Sequence, residues 1–538
     1  MKAIFGPAVT ATLIAALLVG PAPAQEVTSG VKPGFGPMII GDSPKRPDDA
    51  GLLAQAVGDI DGDGRDELVV GLGHYPPQSN QSEKIVILSP DRSGKMSEAT
   101  KAFVSTPPSF THPRSIQMKD LNGDGKMDVF VAAHGYDQDP FPGEKNALLM
   151  SRKSGKHEVV KKGFPKFSDF THGAALGNVN GDRYGDVYVG NGNGQSKYSR
   201  PFLLLGKKGN KVSLSRQLSD EVLGDDTYYS AAALADLNGD GLDDLILGSN
   251  GTGDKNDLQR NVVYFNHGRK QIFRTGKPDV LLPWGRYGGG TNTVDIRTLD
   301  VNSDGLTDIL MAQHGNVPNF HGYGMQLLVN LGKGKFRDET KKRLGGIIKD
   351  EDGKFLNHLM PADFFGDGHP DLVTFGSVGD HAAPVFYIND GSGKFKRYDR
   401  SLFMSDDDSY LFHGMALPGD VNGDGLSDII NMSFGTGDFG VATFINQGPV
   451  GAAKGPSIVR QPQKKTVARK GQPVRLSVSA KGSRPLSYAW TKNGKPVRGN
   501  GPVLEIGKAK KNKAGKYRVT VSNDAGTVSS KTVRLSVK

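Results

Sequence analysis

The sequence predicts an all-β protein, a seven-bladed β-propeller followed by a small β-sandwich. Three observations predict it: one acidic motif recurs seven times at near-constant spacing, short β-branched runs flank each copy, and the composition changes sharply near residue 450. The 73 glycines among 538 residues have no collagen period, so they mark many turns and hence many short strands.

At the N-terminus, Lys2 precedes an apolar run from Ala8 to Gly20, and Ala22-Pro23-Ala24 comes next. This is the layout of a secretory signal peptide over residues 1–24, cleaved near Ala24. The run is short for a bilayer, and no later segment is apolar enough to cross one. The mature chain is therefore expected to be secreted, extracellular or periplasmic, without a transmembrane segment. It has no cysteine, which excludes disulfides and cysteine-ligated zinc. An exported chain without disulfides calls for another staple, and bound metal supplies one.

The motif reads D-x-[DN]-x-D-G-x-x-[DE], then two to four apolar residues and glycine. Copies start at Asp59, Asp120, Asn178, Asp236, Asp300, Asp363 and Asp420, spaced by 61, 58, 58, 64, 63 and 57 residues. A period of this length marks a repeat architecture. Oxygens at positions 1, 3 and 5 converge on one hard cation when the backbone curls tightly. Position 6 is glycine because the turn needs a left-handed residue, position 7 lends a carbonyl, and position 9 adds a carboxylate. An all-oxygen flexible loop selects Ca²⁺. An EF-hand would need glutamate at position 12, where the first copy has Val70, and each loop runs on into strand rather than helix.

Five copies are complete. They are Asp59, Asp61, Asp63 and Glu67; Asp120, Asn122, Asp124 and Asp128; Asp236, Asn238, Asp240 and Asp244; Asp300, Asn302, Asp304 and Asp308; and Asp420, Asn422, Asp424 and Asp428. Two are altered. The third has Asn178, Asn180, Asp182 and Asp186, but Arg183 replaces the glycine, with a guanidinium placed to displace an ion. The sixth keeps Asp363, Asp367 and Asp371, while Phe365 removes a ligand. Five to seven calcium ions are expected.

After each loop come strand, loop, strand, turn and strand, as in Met325 to Asn330, Gly332-Lys333-Gly334 and Phe336. Four strands per unit in seven units give a propeller. The last unit stops after Val441 to Asn446 without its fourth strand. Gly34 to Ile40, ahead of the first unit, is expected to supply it and close the ring. The units resemble the VCBS/FG-GAP repeats of integrin α-chain propellers and many bacterial secreted proteins. The resemblance covers about residues 34–448 and is most specific in loops such as Asp120-Leu121-Asn122-Gly123-Asp124-Gly125. It implies a calcium-binding propeller whose loops join first and second strands on the lower face.

After a linker at residues 449–455, residues 456–538 read as an immunoglobulin-like domain. Val474 to Val478, Leu486 to Trp490 and Tyr517 to Val521 alternate as its B, C and F strands. Trp490 is the expected core tryptophan, Tyr517 the tyrosine corner, and Val478 and Val519 stand at the disulfide positions. From Lys454 onward there are 21 Lys+Arg against two acids, whereas the remainder holds 46 basic and 55 acidic residues. Such a basic tail suits an anionic cell surface, or docking on the acidic propeller. Nucleic acid is not expected, since no aromatic residues interleave the lysines.

With calcium loops below, the loops before first strands and after second strands lie on the upper face. His112, His172, His358 and His413 precede first strands; His74, His134, His314 and His381 come after second strands. Arg114, Tyr228, Tyr229, Trp284, Arg286 and Tyr287 belong to the same loops, and the set suits a sugar, especially an acidic one. The alternative is that the histidines merely cap strands. The expected function is recognition or adhesion, with a glycan or extracellular protein as ligand and no chemistry. A polysaccharide lyase recruiting His172, Tyr229 and Arg114 is one alternative; a structural module of a cell-envelope assembly is another.

Overall fold

The computed structural model describes residues 32–42, 50–74, 81–139, 141–152, 154–191, 200–215, 229–250, 260–268, 272–273, 277–285, 287–315, 321–345, 356–376, 385–398, 415–434, 439–450, 455–482, 486–499, 501–523 and 525–538. The signal peptide with its cleavage position, Tyr228, Arg286, His381 and His413 lie outside them.

Seven four-stranded antiparallel sheets succeed one another along the chain. Their first strands are Ala50–Gly58, Pro113–Lys119, Thr171–Gly177, Tyr229–Ala235, Thr291–Leu299, Leu356–Ala362 and Met415–Gly419. Each touches the first strand of the next blade, and the last touches the first, so these strands form the inner wall of a closed ring. Every second strand begins at position 9 of the motif, from Glu67–His74 in blade one to Asp428–Phe434 in blade seven. Inside a stacked sheet these strands are covered on both faces, which is why they read as unbroken apolar runs. Leu68, Val69 and Val70 are fully buried. Leu68 and Val70 join Leu417, Ile430 and Met432 in one cluster, so the core lies between blades rather than at the centre. Each such side chain contributes about 1.5–3 kcal/mol by burial.

The ring is closed twice. Lys32–Ile40 pairs with Phe439–Val450 as the outer strand of blade seven, where the edge would otherwise stand open. On the lower side, Asp66 N–H donates to Asp420 O at 2.7 Å and Asp420 N–H to Asp66 Oδ2 at 2.8 Å, joining loop one to loop seven.

The C-terminal domain is a sandwich with its own core around Trp490, Val478 and Val519. Trp490 Nε1 donates to Gly501 O at 3.0 Å, and the Tyr517 hydroxyl donates to Lys513 O at 2.7 Å, the tyrosine-corner bond. Val478 and Val519 are both fully buried, so packing takes the place of a disulfide. This domain rests on the lower face: Ser479 Oγ donates to Gly391 O, at the outer turn of blade six, at 2.9 Å.

Candidate metal loops and the open upper face

In loop one, the Asp59 Oδ1 accepts the Gly62 N–H at 2.6 Å and its Oδ2 the Gly64 N–H at 2.9 Å. Asp61 Oδ1 accepts the Asp63 N–H at 3.0 Å. These bonds curl the backbone into a cup, and Gly62 and Gly64 supply its left-handed residues, at φ of 79° and 86°. Asp59, Asp61 and Glu67 each bring a carboxylate oxygen to within 4.8 Å of the others, a spacing that fits one cation.

Loops two, four and seven repeat the backbone cup but not this convergence. Asp120, Asp236 and Asp420 accept the N–H groups of positions 4 and 6, and the Oδ1 atoms of Asn122, Asn238 and Asn422 accept the N–H groups of Asp124, Asp240 and Asp424. Among the described residues, however, loop one alone gathers three carboxylates at that spacing. Loops two, four and seven differ from it at position 3. An amide stands there in place of Asp61 and turns its NH₂ toward the acids. Asn422 Nδ2 donates to Asp424 Oδ2 at 2.9 Å, and Asn238 Nδ2 lies 3.5 Å from Asp244 Oδ1.

Position 9 has a second task that the motif does not reveal. Asp128 Oδ2 accepts the Leu121 N–H at 2.9 Å, and its Oδ1 accepts the Ser151 N–H of the third strand at 2.8 Å. Asp186, Asp244, Asp308, Asp371 and Asp428 make the same clasp. Burial pushes Asp128, Asp244 and Asp428 up to about 7 and Glu67 to about 8. Carboxylates this buried, with further acids nearby, suit a doubly charged cation that holds them ionised.

Loops three and six depart from the cup. Arg183 does not enter loop three; it lies over the Tyr184 ring at 4.8 Å and bonds the Tyr184 hydroxyl. The expected displacement of the ion by its guanidinium is therefore corrected. What alters the loop is the backbone: a side chain at position 6 disfavours the left-handed turn, and Arg183 is absent from the positive-φ residues. Asn178 Oδ1 still accepts the Gly181 N–H at 2.9 Å, Asn180 Oδ1 the Asp182 N–H at 2.9 Å, while Asn178 Nδ2 bonds Asp182 O. In loop six, Asp363 keeps its bonds to the Asp367 and Gly368 N–H groups, but Phe365 is buried with Phe364 in the core between blades. Position 3 there faces oil, not an ion.

On the upper face, the structure brings three of the expected histidines together. His112 and His134 have ring centroids 4.1 Å apart, and His134 stacks on His172 at 5.2 Å and on Phe170 at 4.6 Å. Burial lowers His112 and His358 to about 4 and also pushes His134 and His172 well down, which favours the neutral form of all four. Arg114 lies in the inner strand of blade two, is exposed, and has no hydrogen bond or ion pair among the described residues. Its charge acts on His112, His134 and His172, on Asp137, and also on His358 of blade six, which places the guanidinium in the central channel.

The other expected residues do not join this group. His314 is fully buried, with Nδ1 3.3 Å from Gly315 O. His74 Nε2 is 2.9 Å from Glu83. Tyr229 packs on the cluster containing Tyr188 and Tyr264 between blades three and four. Trp284 is exposed but its ring is covered by Arg260, at 4.7 Å, while the Tyr287 N–H donates to Thr291 Oγ1 at 3.2 Å.

The model for the FG-GAP-like repeat matches residues 59–131, 236–311, 300–374 and 363–430, and that for the immunoglobulin domain matches 455–523. This is an FG-GAP-repeat propeller with an immunoglobulin-like domain. Similar curated proteins include integrin alpha-PS5 of Drosophila melanogaster, 29% identical over 179 residues, 31% of this chain and 16% of that one. Integrin alpha pat-2 of Caenorhabditis briggsae is 26% identical over 220 residues, 36% of this chain and 17% of that one. The FG-GAP chain thus matches about a sixth of the length of these relatives. Among solved structures, a chimeric titin Z1Z2 is 23% identical with a TM-score of 0.15, over 16% of this chain and 98% of that one. The Dscam1 Ig7 domain is 23% identical with a TM-score of 0.14, over 16% and 100%. The fold rests on strand pairing, not on these scores.

The FG-GAP ring also uses a residue that lies outside the acidic motif. Asn266, Asn330, Asn389 and Asn446 stand in, or two residues beyond, the third strands of blades four to seven, and each Nδ2 donates to position 2 of the preceding loop, at 2.7, 2.8, 2.9 and 2.8 Å. An asparagine recurring at this place in blades four to seven is the available signal, where blades two and three have Ser151 and Gly206; its partner in the neighbouring blade is not legible.

Proposed function

We propose that the chain is an exported, calcium-loaded recognition propeller, adhesive in role, whose upper face binds a glycan or protein ligand presenting an anionic group. The observation that carries this is Arg114, an exposed guanidinium with no side-chain hydrogen bond or salt bridge among the described residues, in the channel beside four histidines and within reach of the Asp137 carboxyl. Neutral imidazoles offer hydrogen bonds to a ligand without competing for its charge, and the arginine fork suits a carboxylate bidentately. The sandwich sits on the lower face, which leaves this one accessible. The similarity to proteins named integrin alpha supports an adhesive role, and the leader-like N-terminus supports export.

Calcium is structural in this reading. Loops one, two, four and seven hold complete cups, so four ions, rather than five to seven, are the resident set. Loop one is the tightest site, and in the other three a bound ion draws in the Asn oxygen and the exposed acid at position 5. Among the described residues no helix is long and apolar enough to cross a membrane. The excess of positive charge on the sandwich makes an anionic surface its natural second contact. A lyase is disfavoured, because Tyr229 packs with Tyr188 and Tyr264 instead of serving beside His172.

The test is a binding screen of the calcium-loaded mature chain against uronate polymers, neutral glycans and acidic proteins, with Arg114→Ala in parallel. Selective binding of anionic ligands, lost in R114A without a change in melting temperature, is the expected result. Binding that ignores R114A, or growth of the ultraviolet band of an unsaturated uronate, overturns it.

A further inference from the structure

Arg460 ends the first strand of the sandwich, Ser457–Arg460, and reaches across to loop five of the propeller. Its Nη1 donates to Asn302 Oδ1 at 2.7 Å and to Asp304 Oδ2 at 3.1 Å. These are the position-3 and position-5 oxygens, the pair that the calcium motif assigns to a cation. In loops one, two, four and seven the position-3 oxygen accepts the position-5 N–H. In loop five that oxygen takes the guanidinium instead.

The rest of loop five is still built as a cup. Asp300 accepts the Asp304 and Gly305 N–H groups at 3.0 and 2.7 Å, and Asp308 makes its clasp to Val301 and Asn330. Loop five is also adapted to the sandwich. Ser303 stands at position 4, where those four loops have glycine, and takes the left-handed φ of 53°. Its Oγ bonds His369 Nδ1 at 2.8 Å, and the other His369 nitrogen meets the Tyr488 hydroxyl of the sandwich core. A side chain added at Gly391 would lie 2.2 Å from Ala480 O, so the domains are in direct backbone contact.

We infer that Arg460 is the cation of loop five: a tethered guanidinium standing in place of calcium, so that docking of the sandwich and calcium binding at this loop exclude one another. The inference rests on the calcium reading of the other cups, which serve as its internal control. A guanidinium and a divalent ion cannot share the same two oxygens without direct repulsion at contact distance. A tethered group acts at an effective concentration in the millimolar range. Extracellular loops bind calcium at about 10⁻⁴ to 10⁻³ M. The docked guanidinium therefore raises the calcium concentration needed to fill loop five above that of a free loop, and calcium in excess of this shifts the balance and releases the sandwich.

The test uses the full mature chain as wild type, Arg460→Gln, the double variant R460Q/D304N, and Arg475→Gln as a control. Arg475 pairs with Glu505 inside the sandwich at 2.7 Å. Equilibrium dialysis at submillimolar calcium is expected to show one more ion per chain in R460Q than in wild type or R475Q. The double variant is expected to return to the wild-type number, which assigns the extra ion to loop five. By titration, that ion is expected to bind about tenfold more tightly in R460Q. Small-angle scattering of the wild type is expected to show a larger radius of gyration at saturating calcium. Equal ion counts and affinities in wild type and R460Q, with the other cups loaded, overturn the inference alone. An unchanged radius with loop five filled overturns the exclusion. Absence of any bound ion in either protein overturns the calcium reading and this inference together.

Discussion

Removing calcium is the perturbation whose size the structure sets most directly. Four cups have the full set of ligand residues and closing bonds, and at tenfold saturation each bound ion contributes about 1.4 kcal/mol. Together they supply roughly 6 kcal/mol, comparable to the whole stability of an ordinary domain. With an unfolding entropy of about 2.1 cal/mol/K per residue, a propeller of this length would lose roughly 7 °C in melting temperature. The loss also depends on pH. Burial raises the folded-state pKa of Asp128, Asp244 and Asp428 to about 7 when no cation is near. A raised carboxylate pKa means that the folded apo chain holds protons the unfolded chain has released, so its stabilisation is full below about pH 4 and is lost as pH rises through about 7. Calcium removes that dependence by keeping the groups ionised. Scanning calorimetry in calcium and in EDTA, at about pH 5 and about pH 8, is therefore expected to show a larger EDTA effect at the higher pH. The sandwich transition, with its separate core, is expected to stay in place. A propeller transition that is the same in EDTA and in calcium at both pH values would refute the reasoning.

Phe35 on the ring-closing strand meets Phe364 edge-on at 5.8 Å, so Phe35→Ala is expected to destabilise the propeller by about 2 kcal/mol in a denaturant melt, and deleting residues 32–40 to abolish its cooperative transition. His112 and His358 are held down to about 4 by burial. Their depressed pKa means that the unfolded chain takes protons first, so stability is expected to fall as pH drops from about 6.5 toward 4, and H112Q/H358Q to flatten that slope in thermal melts. Gly391→Ala is expected to push the Ala480 carbonyl away and expose the boundary to limited proteolysis, with the propeller transition lowered by no more than about 1–2 kcal/mol.

Features that depend on local spacing are legible in the sequence. The seven loops, the strand after each, and the pairing of Gly34–Ile40 with the last blade all come from residues a few positions apart, repeated in register. Trp490 and Tyr517 are legible for the same reason: the alternation around them fixes which face is buried. Direction and neighbours are not legible. Arg183 reads as an intruder in loop three because composition does not say where a long side chain turns, and Tyr184 beside it offers a ring face. At Asn238 and Asn422 the motif does not say which end of the amide faces the acids. His314 belongs to the expected upper loop set, yet the strand Asp308–Gly315 carries it into a fully buried position. The clasp by position 9 and the amide bridges of Asn266 and its counterparts need a third strand or a neighbouring blade, about 20 or about 90 residues away, which a period alone does not orient.

The charge opposition along the chain gains a specific meaning from the docking. A propeller whose lower face gathers carboxylates faces a repulsion that grows with every loop closed, and mobile calcium relieves it only where free ions are plentiful. Arg460 relieves it through the chain itself at one loop, without dissolved metal, and in doing so fixes the sandwich against blades four to six. Loop five lies among these blades, and its neighbour, loop six, has Phe365 where a ligand would stand. Where the sandwich sits, the cups are thus either occupied by a side chain or stripped of a ligand, with loop four at the margin. Loops one, two and seven, away from the sandwich, keep complete cups. The division is not one of docked against open arc alone, since loop three departs from the cup away from the sandwich and loop four keeps its cup beside Pro473. It is at loop five that docking itself supplies the cation, because there the guanidinium of Arg460 reaches the position-3 and position-5 oxygens.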